Sequence, residues 1–310
     1  MVNYQNAFLI YNPFAGKLIR NRDQLLRRTT DTLAARGHRV TVVPTTGPRT
    51  AAALARECIE NSADLILAAG GDGTINEVVN GMVHSKVPLG ILPAGTANVL
   101  AVEMGVGKRM DRAAEFLENW IPRRIALGHL QNQFEERHFI LMAGIGLDAM
   151  IVYNIDATLK ASLGKAAYWI GGFSQFGRPL PEFDVTSNGH KSRCSFALAS
   201  RVRNYGGDLF IARNASLFSD HFELVLFEGA NSLPYVKYLV GVIANRLAKM
   251  KGVSVIRTQS VELECASAPG VYVQIDGEYA GRLPVRLSVV PQSLTLLVPR
   301  PFLEKHIEAI

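Results

Sequence analysis

Cysteine is scarce in this chain: three residues in 310, at positions 58, 194 and 265. An odd number at unrelated spacings makes neither a disulfide framework nor a zinc centre. All three lie in apolar segments, where buried thiols of a reducing compartment are expected. The seven histidines show no metal-ligand spacing, which argues against a zinc enzyme. Long hydrophobic runs are missing too. The most apolar stretch, FILMAGIGLDAMIVY, is broken by Asp148 and falls short of the roughly 20 residues that a membrane span needs. The opening MVNYQNAFLIYNP has no basic n-region and too short an apolar stretch for a signal peptide. There is no low-complexity linker and no internal repeat. These absences point to a cytoplasmic protein that spans no membrane and whose domains touch closely.

What is present is a sizeable core. Apolar residues make up 48% of the chain and charged residues 19%, and the length favours two domains. The formal net charge is +6, with Arg20, Arg22, Arg27, Arg28, Arg36, Arg39 and Arg49 concentrated early. Such an excess suits anionic partners: nucleotides, acidic membrane surfaces or nucleic acid. A solvated basic face accounts for it equally, and no nucleic-acid recognition motif accompanies it.

The first part alternates strand and helix signals. Strands are expected at 7–11, 40–43, 65–69 and 89–92, with helices over 23–36, over 50–60 and from the glycine loop to Met82. Alternation of this kind predicts a mostly parallel sheet covered by helices, with ligands beyond the carboxyl ends of the strands. After about residue 125 the texture becomes β-rich. Strands are expected at 123–129, 139–143, 183–186, 195–199, 224–227, 261–266, 271–275, 285–290 and 294–298, with helices at 160–174 and 234–250. The fold class expected is an N-terminal α/β nucleotide-binding domain, 1–125, plus a C-terminal β-sandwich-like domain, 126–310, whose tail packs back on the first.

Three of the four early strands end in unusual loops: NPFAG, GGDGT and PAGTAN. Glycine-rich loops between a strand and a helix hold phosphates through backbone N–H groups and the helix N-terminus. Gly70, Gly71 and Gly73 match neither the dinucleotide fingerprint nor the Gly-Lys-Ser/Thr of a P-loop. The Asp72 charge among them makes sense if a divalent cation stands between it and the phosphates, or if it orients a water on that cation. Thr74 and Glu77 match a capping box, which starts the helix at Thr74. Asn12 offers donor and acceptor together, and Thr96 and Asn98 are placed to cap the helix after PAGTAN. In IDGEYAG, Asp276–Gly277 reads as a hairpin turn, and Glu278 beside it as a carboxylate able to take a proton from an attacking hydroxyl. Asp148 interrupts so apolar a run that it must pair, bind metal or meet a ligand.

Together NPFAG, GGDGTINEVVNG, LGILPAGTANVLA, GIGLDA and the late IDGE resemble the diacylglycerol kinase catalytic family, which includes bacterial diacylglycerol kinase-like and sphingosine kinase-like lipid kinases. The resemblance runs through nearly the whole chain in the family's order. It implies ATP as phosphoryl donor, Mg²⁺ as cofactor, a lipid hydroxyl as acceptor, an ATP site between the two domains, and peripheral contact at the inner membrane face. Carried over residue by residue, Asn12, Pro13, Phe14, Ala15, Gly16, Gly70, Gly71, Asp72, Gly73, Thr74, Ile75, Asn76 and Thr96 contact the nucleotide. Thr45 joins them, with Thr46 an equal alternative. Glu278 is the proton acceptor, Asp72 belongs to the catalytic metal and water network, and Leu217, Asp220 and Phe222 match a magnesium site of bacterial members. Two residues depart from the pattern. Val99 stands where many bacterial members carry aspartate, and His221 where they carry glycine. Tyr168, Trp169, Phe173, Phe176, Lys160, Lys165 and Arg178 suit a membrane contact, though core packing explains the aromatics as well. A kinase for a soluble substrate such as NAD, or a nucleotide or lipid sensor without catalysis, remains the alternative.

Overall fold

The computed structural model describes residues 4–154, 179–206, 209–230, 234–265 and 270–307. The chain divides into two compact units, one formed by residues 1–126 and 292–310, the other by residues 127–291.

The first unit is the α/β unit. It begins β1 (Ala7–Tyr11), α1 (Leu18–Ala35), β2 (Val40–Pro44), α2 (Ala51–Glu60), β3 (Leu65–Gly70), α3 (Asp72–Met82) and β4 (Pro88–Pro93). Two short helices follow, α4 (Val99–Glu103) and α5 (Met110–Glu115). The strands pair in parallel in the order β2–β1–β3–β4. Every residue of β3 is buried, as expected for a parallel strand covered on both faces, whereas β2 at the edge is largely open and ends in Pro44. Leu9, Leu33, Leu65, Leu67, Leu92 and Leu117 anchor the core beneath the helices. The order reverses direction between β1 and β3, and this is where an open α/β sheet leaves a crevice beyond its carboxyl ends.

The second unit is built from antiparallel strands. The chain leaves the first unit along β5 (Trp120–Gln131), then forms β6 (Glu136–Phe139), β7 (Met142–Gly146) and α6 (Leu147–Asn154). Next come β8 (Phe183–Ser187), β9 (His190–Cys194), β10 (Phe196–Ser200), β11 (Phe222–Phe227), α7 (Pro234–Ile243), β12 (Val253–Thr258) and β13 (Ser260–Glu264). The hairpin β14 (Tyr272–Ile275) and β15 (Glu278–Arg282) precedes the last strand, β16 (Val285–Pro299), and α8 (Arg300–Ile307). One sheet runs β12–β11–β10–β7–β14–β15, and β9–β8–β13 pair with the first half of β16 in another. Side chains of both sheets share one core, with Phe139 stacked on Phe222 at 5.7 Å. The second half of β16 belongs to the first unit, where it pairs in parallel with β4. The fold class is therefore the one the sequence implies: a mostly parallel α/β unit and a sandwich-like antiparallel one.

Several boundaries differ for identifiable reasons. The expected strand 139–143 is two strands, because the Asp276 carboxylate takes the N–H groups of Ile140, Leu141 and Met142 at 2.9–3.0 Å. The two strands expected after Pro284 are the single β16. Helix α1 starts at Leu18, with a kink at Asn21, ahead of the expected 23. The helix expected at 160–174, and with it Lys160, Lys165, Tyr168, Trp169, Phe173, Phe176 and Arg178, lies outside the described residues.

The capping box is also absent. Helix α3 begins at Asp72, and Glu77 reaches across to the start of α2, accepting from Arg49 N at 2.8 Å and Ala51 N at 3.0 Å. No Ser, Thr, Asn or Asp side chain caps α2, so this carboxylate does that work and sits at the positive end of the helix dipole. Glu77→Ala is expected to lower stability by about 0.5–2 kcal/mol, the usual value of an N-cap. Chemical denaturation measures this, and an unchanged unfolding midpoint would remove Glu77 from the role.

Candidate active site

The three loops at the carboxyl ends of β1, β3 and β4 are joined by main-chain contacts. Asn12 N donates to Ala69 O at 3.0 Å, and the Gly70 carbonyl accepts from both Ala94 N and Gly95 N, at 3.1 and 2.9 Å. Asn12 Oδ1 accepts from Phe14 N at 2.9 Å, which folds NPFAG back on itself, while Asn12 Nδ2 donates to Thr74 Oγ1 at 3.3 Å. Lys17 N donates to Ala94 O at 3.1 Å, and a side chain at Gly16 would start 3.4 Å from Thr96 Oγ1. Thr45, at the end of β2, is tied by its N–H to Tyr11 O at 2.9 Å; it is buried, whereas Thr46 is exposed.

Two glycines make this junction possible. A Cβ on Gly70 would lie 2.5 Å from Thr74 Cβ, and a Cβ on Gly95 only 2.4 Å from Gly71 Cα. The second clash is with backbone, which has nowhere to yield. Asn98 locks the PAGTAN loop from inside: it takes a left-handed backbone (φ 49°), accepts from Gly95 N at 2.9 Å and donates to Gly95 O at 2.8 Å. It heads α4 without capping it, so the helix-capping expectation for Thr96 and Asn98 does not hold. Ile75 and Asn76 are buried inside α3, and Asn76 accepts from Asn80 Nδ2. Phe14, by contrast, is exposed. The structure thus brings Asn12, Gly16, Gly70, Gly71, Thr74 and Thr96 to one cradle, with Asp72 in the first turn of α3 beside it.

Glu278 belongs to the second unit. Asp276 and Gly277 have φ of 50° and 81°, as a tight two-residue hairpin requires. Besides its three bonds to residues 140–142, Asp276 donates its own N–H to Met142 O at 2.9 Å. Gly277 N donates to Gln274 Oε1 at 2.8 Å, and Gln274 Nε2 donates to Asp148 Oδ2 at 2.7 Å. Asp148 is buried and also accepts from the Tyr205 hydroxyl. Burial pushes its carboxyl above the usual range, and these two hydrogen bonds pull in the opposite direction. Asp148 therefore pairs, one of the three fates its apolar setting allows. The turn it supports presents Glu278 partly open, with Arg137 Nη1 3.6 Å away. Arg137 Nε and Nη2 are buried with no hydrogen-bond partner among the described residues. Sequence reasoning placed Asp276 in the turn but passed over its carboxylate's role and over Gln274 and Arg137, because an Asp-Gly turn accounts for itself without them.

The metal expectations divide. Among the described residues no three His, Cys, Asp or Glu side chains gather as a metal centre. At the cradle this fits Mg²⁺, which is commonly held by one or two carboxylates together with substrate phosphates; Asp72 offers such a carboxylate. At Leu217, Asp220 and Phe222 a divalent ion does not fit. The Leu217 carbonyl already accepts at 3.0 Å from Nη2 of the buried Arg201, a cation whose charged form Asp220 favours, so a second cation there would meet like charge.

Gly95→Ala is expected to force the two loops apart, lowering stability by about 1–3 kcal/mol, as overpacking does, and weakening nucleotide binding at the same time. Calorimetric titration with ATP beside a thermal melt checks both. Unchanged affinity would separate the cradle from nucleotide binding.

Comparison with known proteins bears on both units. Residues 6–130 match the diacylglycerol kinase catalytic domain, and residues 142–298 match the YegS C-terminal NAD kinase beta sandwich-like domain. A diacylglycerol kinase of Bacillus subtilis is 28% identical over 302 residues, covering 96% of this chain and 97% of that one. One from Mycobacterium tuberculosis is 27% identical over 249 residues, 78% of this chain and 79% of its own. A solved structure from Bacillus anthracis, described as a candidate diacylglycerol kinase, superposes with a TM-score of 0.81 at 21% identity, covering 97% of this chain and 98% of that one. At that identity it speaks for the fold. With both domain models matched in order and relatives matched along nearly the full length, the chain belongs to the diacylglycerol kinase catalytic family of kinases.

Proposed function

We propose that this chain is an ATP-dependent lipid kinase that transfers the γ-phosphoryl group to a lipid hydroxyl, diacylglycerol or a related lipid. The observation that carries the reading is the junction of Asn12, Gly70, Thr74 and Gly95 at the β1/β3 switch point. It offers main-chain N–H groups and the start of α3 to a phosphate while excluding side chains that would fill the space. Asn12, Pro13, Phe14, Ala15, Gly16, Thr45, Gly70 to Asn76 and Thr96 form the nucleotide set in this reading. Mg²⁺ bound with the nucleotide supplies neutralisation of phosphate charge, and Asp72 is the residue that would hold it or its water.

In the reaction the acceptor oxygen bonds to the γ-phosphorus, the bond to the ADP oxygen breaks, and Glu278 takes the hydroxyl proton. Phosphoryl transfer depends mainly on positioning and charge stabilisation, which suits a carboxylate fixed by a turn that Asp276 and Gln274 hold rigid. Glu278→Ala is expected to lower turnover by roughly 10²–10⁴-fold, the usual range for a positioned base, with ATP affinity nearly intact. The assay is labelled phosphate transfer to diacylglycerol, monoacylglycerol, phosphatidylglycerol, ceramide and sphingosine in mixed micelles, with NAD as soluble control. Labelling of one lipid, lost in the variant, supports the assignment; normal turnover in the variant removes Glu278 from it. The NAD kinase-like description of the second domain keeps a soluble acceptor as the second reading, and labelling of NAD alone would establish it.

A lipid acceptor requires peripheral membrane contact, and α7 offers a surface for it. Tyr238 is buried against Phe227, whereas Lys237, Val240 (59%) and Ile243 (71%) face outward three residues apart. From 234 to 251 the chain carries Lys237, Arg246, Lys249 and Lys251 and no acidic residue. Basic residues around exposed aliphatics suit an anionic bilayer. Replacing Arg246, Lys249 and Lys251 by Glu is expected to reduce co-sedimentation with anionic vesicles while leaving turnover in neutral micelles unchanged. Unaltered vesicle binding would exclude this face.

A further inference from the structure

Arg201 is the largest side chain in the described residues with essentially no exposure. It follows directly on β10, and its own N–H donates to Leu141 O at 2.8 Å. Nη2 donates to two carbonyls, Leu217 O and Ser219 O, each at 3.0 Å. Asp220 follows Ser219 in the same turn, and its negative charge favours the charged form of the guanidinium. Nε and Nη1 are buried with no hydrogen-bond partner among the described residues.

A cation buried like this is costly unless oxygens and an opposite charge surround it. Here the 217–220 turn supplies both: two carbonyl dipoles and one carboxylate. This is also the donor set a hard divalent cation seeks. The two occupants compete, because Nη2 already donates to the Leu217 carbonyl and a divalent ion placed beside the guanidinium would meet like charge. Burial lowers the guanidinium pKa to about 10, so it remains charged at neutral pH.

We propose that the Arg201 guanidinium is the resident cation of the 217–222 turn, in place of a divalent metal, so that the second unit holds this turn without bound metal. The inference does not depend on which acceptor is phosphorylated, since it is read as stability and metal stoichiometry rather than turnover. A divalent ion brought by the nucleotide to Asp72 is a separate matter.

The test begins with thermal unfolding of the full chain, without nucleotide, in EDTA and in millimolar Mg²⁺. The wild type is expected to melt at the same temperature in both. Arg201→Ala, which vacates the carbonyls and leaves Asp220 uncompensated, is expected to melt lower in EDTA and to recover part of the loss with Mg²⁺. Arg201→Lys, which keeps a cation, is expected to remain insensitive to metal. If Arg201→Ala does not fold in either buffer, Mn²⁺ titration of the wild type by electron paramagnetic resonance decides. Either no bound Mn²⁺, or Mn²⁺ lost on Asp72→Asn but not on Asp220→Asn, supports the proposal. Bound Mn²⁺ lost on Asp220→Asn, a Mg²⁺-dependent rise of the wild-type midpoint that Asp220→Asn abolishes and Asp72→Asn does not, or a folded Arg201→Ala indifferent to metal overturns it.

Discussion

The first unit depends on one close approach of backbone to backbone. Gly70 gives its carbonyl to two successive N–H groups of the PAGTAN loop, and Gly95 lies so near Gly71 that no side chain fits between them. The candidate nucleotide loops at the ends of β1, β3 and β4 are arranged around that junction. Asn12 reaches Thr74 because β1 and β3 are neighbours, and Gly16 passes Thr96 because the β4 loop is pulled toward β3. A phosphate-binding loop needs N–H groups unobstructed by side chains, and the contact that rigidifies these loops also strips them of side chains.

A carboxylate accepts hydrogen bonds and, when ionised, donates none. That property explains the placing of the acidic residues of the motifs, which also differ in exposure. Glu77, Asp148 and Asp276 spend their oxygens on protein donors: the N-terminus of α2, a tyrosine and a glutamine, and the break between β6 and β7. They hold loops in place. Asp72 and Glu278 sit in the first turn of a helix and beside a hairpin turn, partly open in each case. Glu278 owes its fixed position to Asp276 two residues earlier. The DGE triplet thus joins a carboxylate that holds the turn to one that stands partly open beside it, near Arg137, which is why the hairpin reading and the catalytic reading of the same residues are compatible.

The layout was legible where local pattern and global fold agree. The apolar runs of β1, β3 and β4 are buried parallel strands, and glycine loops after strands can have few other purposes. The hairpin at Asp276–Gly277 was equally readable from its residues. What escaped was long-range. Nothing local tells that Glu77 caps a different helix, since a capping box and a cross-helix cap use the same residue type. Residues 139–143 read as one strand because the carboxylate that splits them lies more than 130 positions away in sequence. Arg201, within a segment that reads as loop, carries no sign of its complete burial. Buried polar residues are where a sequence says least, because their partners are chosen by the fold.

The choice of cation follows the same logic of permanence. A guanidinium is covalently tethered, always charged near neutrality and suited to planar arrays of oxygen, so it can hold a turn for the lifetime of the protein. A divalent ion binds oxygen more tightly, but it has to be captured from solution and can be lost to it. For a turn that must never open, the tethered cation is the better solution, despite the cost of burying it. For phosphoryl transfer the balance reverses, since the charge to be neutralised arrives with the donor and leaves with the product. In the proposed reading, a permanent guanidinium in the Gly70–Thr74 loop would occupy space the phosphates need, and Asp72, a carboxylate, stands there instead. The negative residue belongs where the cation travels with the ligand, and the positive one where the cation must stay.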